Sequence, residues 1–166
     1  MRTHALLAGP LALTAALALG PSAALAGAPV STGGHHTAAG AVYAGQLLAA
    51  KAATAPYRDV ARAESDGYQQ TSPCTPEKGI HYLREVAQGP EELDVLRPNA
   101  LVYDAGPDGT LVLHGIEYVS HTPATLFGQE FEQSPAVGYY TLHVWLWEPA
   151  PHDLFAADNP RLTCGG

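Results

Sequence analysis

Residues 138–148, GYYTLHVWLWE, form the densest apolar and aromatic run after the leader, with His143 at their middle. As a strand the run has period two. Tyr139, Thr141, His143, Trp145 and Trp147 fall on one face, and Tyr140, Leu142, Val144, Leu146 and Glu148 on the other. The second face is aliphatic and predicts core. The first is aromatic with a polar centre and suits a pocket wall. Aromatic and β-branched residues favour a pleated surface, so a strand is expected here rather than a helix.

Partners for this strand lie upstream. Residues 99–104, NALVYD, and 110–120, TLVLHGIEYVS, flank the turn sequence AGPDG and predict a hairpin. Strict alternation puts Leu111, Leu113, Gly115, Glu117 and Val119 on one face, and Val112, His114, Ile116 and Tyr118 on the other. Glu117 is the anomaly. A carboxylate on a leucine face is costly unless it is paired or bound to a cation. Residues 79–86, GIHYLREV, carry His81 and Tyr82 on a short element that periodicity assigns equally to strand or helical turn. Residues 121–136 read as a longer connection, with Leu126 and Phe127 turned inward and Gln129, Glu130 and Glu132 edging a site.

The N-terminal third has helical character. Residues 41–53 are alanine-rich with Val42, Leu47 and Leu48 on overlapping turns, and Pro56 ends them. A second short helix is expected over 57–67, stopped at Asp66-Gly67, followed by the loop QQTSPCTPEKG. Residues 1–26 read as a signal peptide: Arg2, an apolar run too short to span a bilayer comfortably, and Ala24-Leu25-Ala26 as the cleavage signal. A membrane anchor is the alternative for this segment. Residues 27–40 lack periodicity and predict a flexible tail, with His35-His36 a poor metal site on their own. The expected organisation is a signal peptide at 1–26, a tail at 27–40 and a single α+β domain at 41–166. In that domain N-terminal helices pack on a small antiparallel sheet with one disulfide.

Export and cysteine content agree. The two cysteines, Cys74 and Cys164, predict one disulfide across 89 intervening residues, and no CxxC pair suggests redox or thiolate-metal chemistry. Lys and Arg total 8 against 16 Asp and Glu. This acidic balance argues against nucleic acid or an anionic membrane surface as a partner once the leader is removed. No GxGxxG, P-loop or EF-hand pattern is present, so a nucleotide cofactor is not expected, and no GxSxG marks a serine nucleophile.

Two imidazoles and a carboxylate make a three-ligand set for zinc, copper or another divalent first-row metal. His81, Glu117 and His143 are the candidates, with 35 and 25 residues between them, so only strand pairing can bring them together. Tyr82, His121, Gln129, Glu130 and Trp145 are expected at the rim of an adjoining pocket. An open coordination position would permit metal-dependent hydrolysis or redox chemistry, with His121 or Glu130 as an acid/base. Two further readings stand beside the metal site. In one, Glu117 accepts hydrogen bonds from the histidines in a ligand-free cluster. In the other, the aromatic surface binds a sugar or an apolar molecule. The expected partner is a metal ion or small ligand, in a secreted protein.

The order Gly79-x-His81-Tyr82, Glu117-Tyr118, Leu126-Phe127-Gly128-Gln129, His143-Val144-Trp145-Leu146-Trp147, Phe155-Ala156 and Asn159-Pro160 before the final cysteine resembles a family of small secreted bacterial proteins of unassigned activity. The resemblance spans about residues 57–164 and includes His81, Glu117 and His143. The family pattern differs at Lys78, where a methionine is typical, and at Ala157-Asp158, where an acidic-aromatic pair is typical. The resemblance implies a single exported α+β domain and supplies no mechanism.

Overall fold

The hairpin expected around AGPDG forms, and the sheet grows outward from it. A computed structural model describes residues 34–151 and 153–165. The expected signal peptide, residues 27–33 of the expected tail, His152 and Gly166 therefore lie outside the described residues. The described residues belong to the compact unit Gly33–Gly166. Strand β3 (Ala100–Ala105) turns through Gly106-Pro107-Asp108-Gly109 into β4 (Leu111–Ser120). Gly109 takes φ +80°, the left-handed backbone that glycine adopts without steric cost, and its N–H closes the turn on the Gly106 carbonyl. Asp108 Oδ1 accepts the next amide, Thr110 N–H, at 3.0 Å.

Four more strands complete an antiparallel sheet. These are β1 (Gln69–Gln70), β2 (Ile80–Leu83), β7 (Glu132–Gln133) and β8 (Tyr140–Val144), in the spatial order β1-β2-β3-β4-β8-β7. A separate ribbon pairs β5 (Thr125–Leu126) with β6 (Gln129–Glu130). Residues 79–86 are thus a strand at their centre. The loops expected at 69–79 and 121–136 hold four short strands that alternation over two residues cannot reveal. Phe127 and Gly128 form the β5–β6 turn with φ 54° and 74°. A left-handed phenylalanine is strained, and burial of its ring against Tyr118 and Phe155 offsets that strain.

The protein is α+β and mostly sheet. Helix α1 (Gly34–Thr54) begins seven residues before position 41, so the C-terminal half of the expected tail is helical. Pro56 lies just beyond its end, in a 3₁₀ turn at Ala55–Arg58, and α2 (Val60–Ser65) follows. Asp59 caps α2, its side chain accepting from Ala61 N–H. None of the described helices is long and apolar enough to cross a membrane. The larger core joins Ala50 of α1 and Ala63 of α2 to Tyr82, Leu101, Tyr103, Leu113, Ile116, Tyr118, Leu142 and Val144. Three buried tyrosine hydroxyls donate to backbone carbonyls within it: Tyr103 to Tyr57, Tyr68 to Pro98 and Tyr118 to Val95. Desolvation raises all three phenol pKa values.

The opposite face carries a smaller cluster of Val102, Trp145, Ala150 and Leu162, covered by the C-terminal segment. That segment is held by Trp145 Nε1–H donating to Ala156 O at 2.7 Å and by the disulfide Cys74–Cys164. Asp104 accepts the amides of Thr163 and Cys164 at 2.9 Å each.

A β-bulge corrects the expected faces of β4. Register runs Tyr103↔Leu113 and then Val102↔Gly115, so β4 carries one extra residue, His114, between them. Beyond this point the alternation is inverted. Leu111 and Leu113 share the main core with Ile116 and Tyr118, while Glu117 turns to the face of Val102 and Trp145. The leucine-face carboxylate implied by strict alternation therefore does not arise. The end of the aromatic strand also departs from strict alternation. Trp147 and Glu148 both donate their amides to His114 O, and Trp147 packs against the main core beneath Lys51 and Arg58 rather than beside His143.

Candidate metal centre

Three strands deliver the three side chains. His81 sits on β2 opposite Val102, Val102 pairs with Gly115, and Glu117 pairs directly with His143 across β4 and β8. Gly115 gives the face its depth. A Cβ there would lie 2.8 Å from Trp145 Cε3, so its absence lets the indole lie flat against the sheet. His143 then stacks on that indole, with 5.4 Å between centroids and 12° between planes.

The donor atoms converge. His81 Nε2 and His143 Nε2 are 3.4 Å apart. Glu117 offers Oε2 to His81 at 3.6 Å and Oε1 to His143 at 3.5 Å. Each imidazole thus faces a different oxygen of the one carboxylate, and one donor atom from each of the three residues lies within 4.8 Å of the other two. The carboxylate–imidazole distances are long for hydrogen bonds. Glu117 and His143 are only 6% and 8% exposed, whereas the His81 side chain is 20% exposed, so the cluster opens to solvent on the His81 side.

Electrostatics favour uncharged groups. Desolvation pushes Glu117 up, opposed by His81, by the Thr141 hydroxyl and by Lys78. Desolvation lowers both histidines, His143 to about 4, and Lys78 lowers both further. Neutral imidazoles are the form that ligates a metal, and a cation among them favours the carboxylate's anion. A second cluster, Cys74, Asp104 and Cys164, has its sulfurs joined in the disulfide and so lacks thiolates.

Beside His143 lies a cleft of about 120 Å³ lined by Gln129, Glu130, Glu132, Thr141, Asp153 and Phe155, among others. Two expected rim residues, Gln129 and Glu130, are therefore placed against the site. The others are not at a rim. Tyr82 follows His81 in β2 and so points into the main core, edge-on to Tyr103. His121 lies exposed past the end of β4, edge-on to Tyr139 at 4.8 Å. Trp145 is fully buried and supports His143 from within. Thr141, Lys78 and Ser72 are neighbours that the chain order did not single out. Thr141 alone carried a signal, lying two residues before His143 on one strand face. Comparison with protein-family models, with curated proteins and with solved structures finds no match for this chain.

Proposed function

We propose that this is an exported protein that holds a divalent metal, zinc or copper, on His81, Glu117 and His143. The convergence of donors carries this reading: one donor atom from each of the three residues lies within 4.8 Å of the others, and the histidine–carboxylate distances of 3.5 and 3.6 Å are long for direct hydrogen bonds. Export is supported by the leader-like residues 1–26 and by the Cys74–Cys164 crosslink, which persists in oxidising compartments.

Elemental analysis of the purified protein, carrying no histidine tag, tests the proposal beside His143→Ala. One equivalent of a transition metal is expected in the parent and none in the variant. No metal in either protein after incubation with zinc and copper overturns it.

A second reading extends the first. Three protein ligands leave a fourth position for water, and the cleft beside His143 leaves room for a small substrate. The metal would then supply Lewis-acid chemistry. Glu130, in the cleft wall, would then serve as the acid/base, whereas His121 does not line the cleft.

A further inference from the structure

We infer that Ser72 is the positioning residue that sets the ring of His81 for metal binding, an inference that rests on the metal reading above. Its place follows from strand pairing. β1 pairs with β2 at Gln69↔Leu83 and Gln70↔Tyr82, and the ladder continues as Thr71 N–H donates to His81 O at 2.9 Å. The following residue closes the next rung with its side chain, because His81 N–H donates to Ser72 Oγ at 3.0 Å. Pro73 then has no N–H to offer, and the pairing ends.

The same hydroxyl lies 3.5 Å from His81 Nδ1. An imidazole that binds a metal through Nε2 carries its proton on Nδ1 and needs an acceptor there. A serine oxygen has two lone pairs. One takes the His81 amide, and the second faces the ring. Ser72 thereby bonds the backbone of His81 and stands beside its ring, where an acceptor favours the tautomer whose Nε2 lone pair faces Glu117 and His143.

Ser72 is itself held without reference to any ion. Cys74, two residues on, is crosslinked to Cys164. The intervening loop is joined to the C-terminal segment through Glu77 N–H to Leu162 O at 2.9 Å and Asn159 N–H to Glu77 O at 2.8 Å. The Lys78–Asp158 ion pair adds a further tie. The acceptor is therefore in place before a metal arrives, and this preorganisation raises affinity.

Cobalt(II) titration followed by visible absorption tests the inference on the full chain, comparing wild type, Ser72→Ala, Ser72→Thr and Ser72→Val. Loss of the hydroxyl is expected to weaken cobalt binding roughly 10–100-fold. Threonine restores it, and valine, of the same shape without the hydroxyl, does not. Carbon-13 shifts of His81 in the zinc-loaded protein are expected to report the Nδ1–H tautomer in wild type and a mixture in Ser72→Ala. The threonine–valine pair keeps the comparison standing where Ser72→Ala unfolds. Wild type that binds cobalt, with Ser72→Ala and Ser72→Val binding it equally well, overturns the role of Ser72 alone. Wild type that binds no cobalt overturns the metal reading and this inference with it.

Discussion

His81 and Glu117 stand on strands that are not neighbours, with β3 running between them, yet His81 Nε2 and Glu117 Oε2 are 3.6 Å apart. Two long side chains meet over a small one, Val102, which pairs with His81 on one side and with Gly115 on the other. The bulge at His114 makes this meeting possible. Without the extra residue, Glu117 would point into the core beneath Tyr103 and Leu113.

Gly115 is the position where added volume is least tolerated. Gly115→Ala places a methyl group 2.8 Å from Trp145 Cε3 and 3.1 Å from Cζ3, and the buried indole has no room to withdraw. We expect a loss of about 1–3 kcal/mol in urea unfolding, the cost of overpacking. Metal affinity should fall with it, since the indole stacks on His143. Wild-type stability in this variant would show that the indole does not need the space.

The crosslink should account for much of the stability. Cys74 and Cys164 are 90 residues apart in sequence. Chain-entropy estimates for a loop of this size give about 4–5 kcal/mol. The double variant Cys74→Ala/Cys164→Ala is expected to show a large fall in guanidinium midpoint. A fall of less than about 1 kcal/mol would mean that the Asp104 hydrogen bonds hold the tail unaided.

Asp104 is the second fastening of that tail. Asp104→Ala strands the amides of Ala105, Thr163 and Cys164 that the carboxylate now accepts. About 1–3 kcal/mol should be lost, and Asp104→Asn should lose less because its remaining carbonyl still accepts. Hydrogen exchange at Thr163 and Cys164 reports the change directly. Unaltered exchange in the alanine variant would rule out this anchoring.

Acid should destabilise the metal-free protein. Burial holds the imidazoles of His81, His114 and His143 below the ordinary histidine range, His143 at about 4. A depressed histidine pKa contributes stability fully above the unfolded value of about 6.5, and this is lost as pH falls through the folded value. Glu117, raised by burial, acts in the opposite sense and loses its contribution as pH rises. With three histidines against one carboxyl, the denaturation midpoint is expected to drop between about pH 6.5 and pH 4. Replacing His114 with Asn should reduce the drop. A midpoint that holds constant through this window would place these rings in more hydrated surroundings.

Much of this was written along the chain. The hairpin about Gly106–Gly109 follows from turn chemistry, and Tyr140–Val144 from alternation, because both are decided by residues a few positions apart. The disulfide was legible because two cysteines permit a single pairing. The residue types of the candidate centre also stood out, each as a polar group inside an apolar strand.

What needed the folded chain was which way each side chain points and what it meets. One inserted residue at His114 reverses every face beyond it, and no periodicity count registers an insertion whose cause is pairing with another strand. Tyr82 moved from rim to core because neighbours in a strand face opposite ways. Ser72 became visible only when strand pairing set it against His81, nine residues later in the chain. Local propensity is a property of adjacent residues. Convergence of His81, Glu117 and His143 is a property of strand register, which the packing of the whole sheet determines.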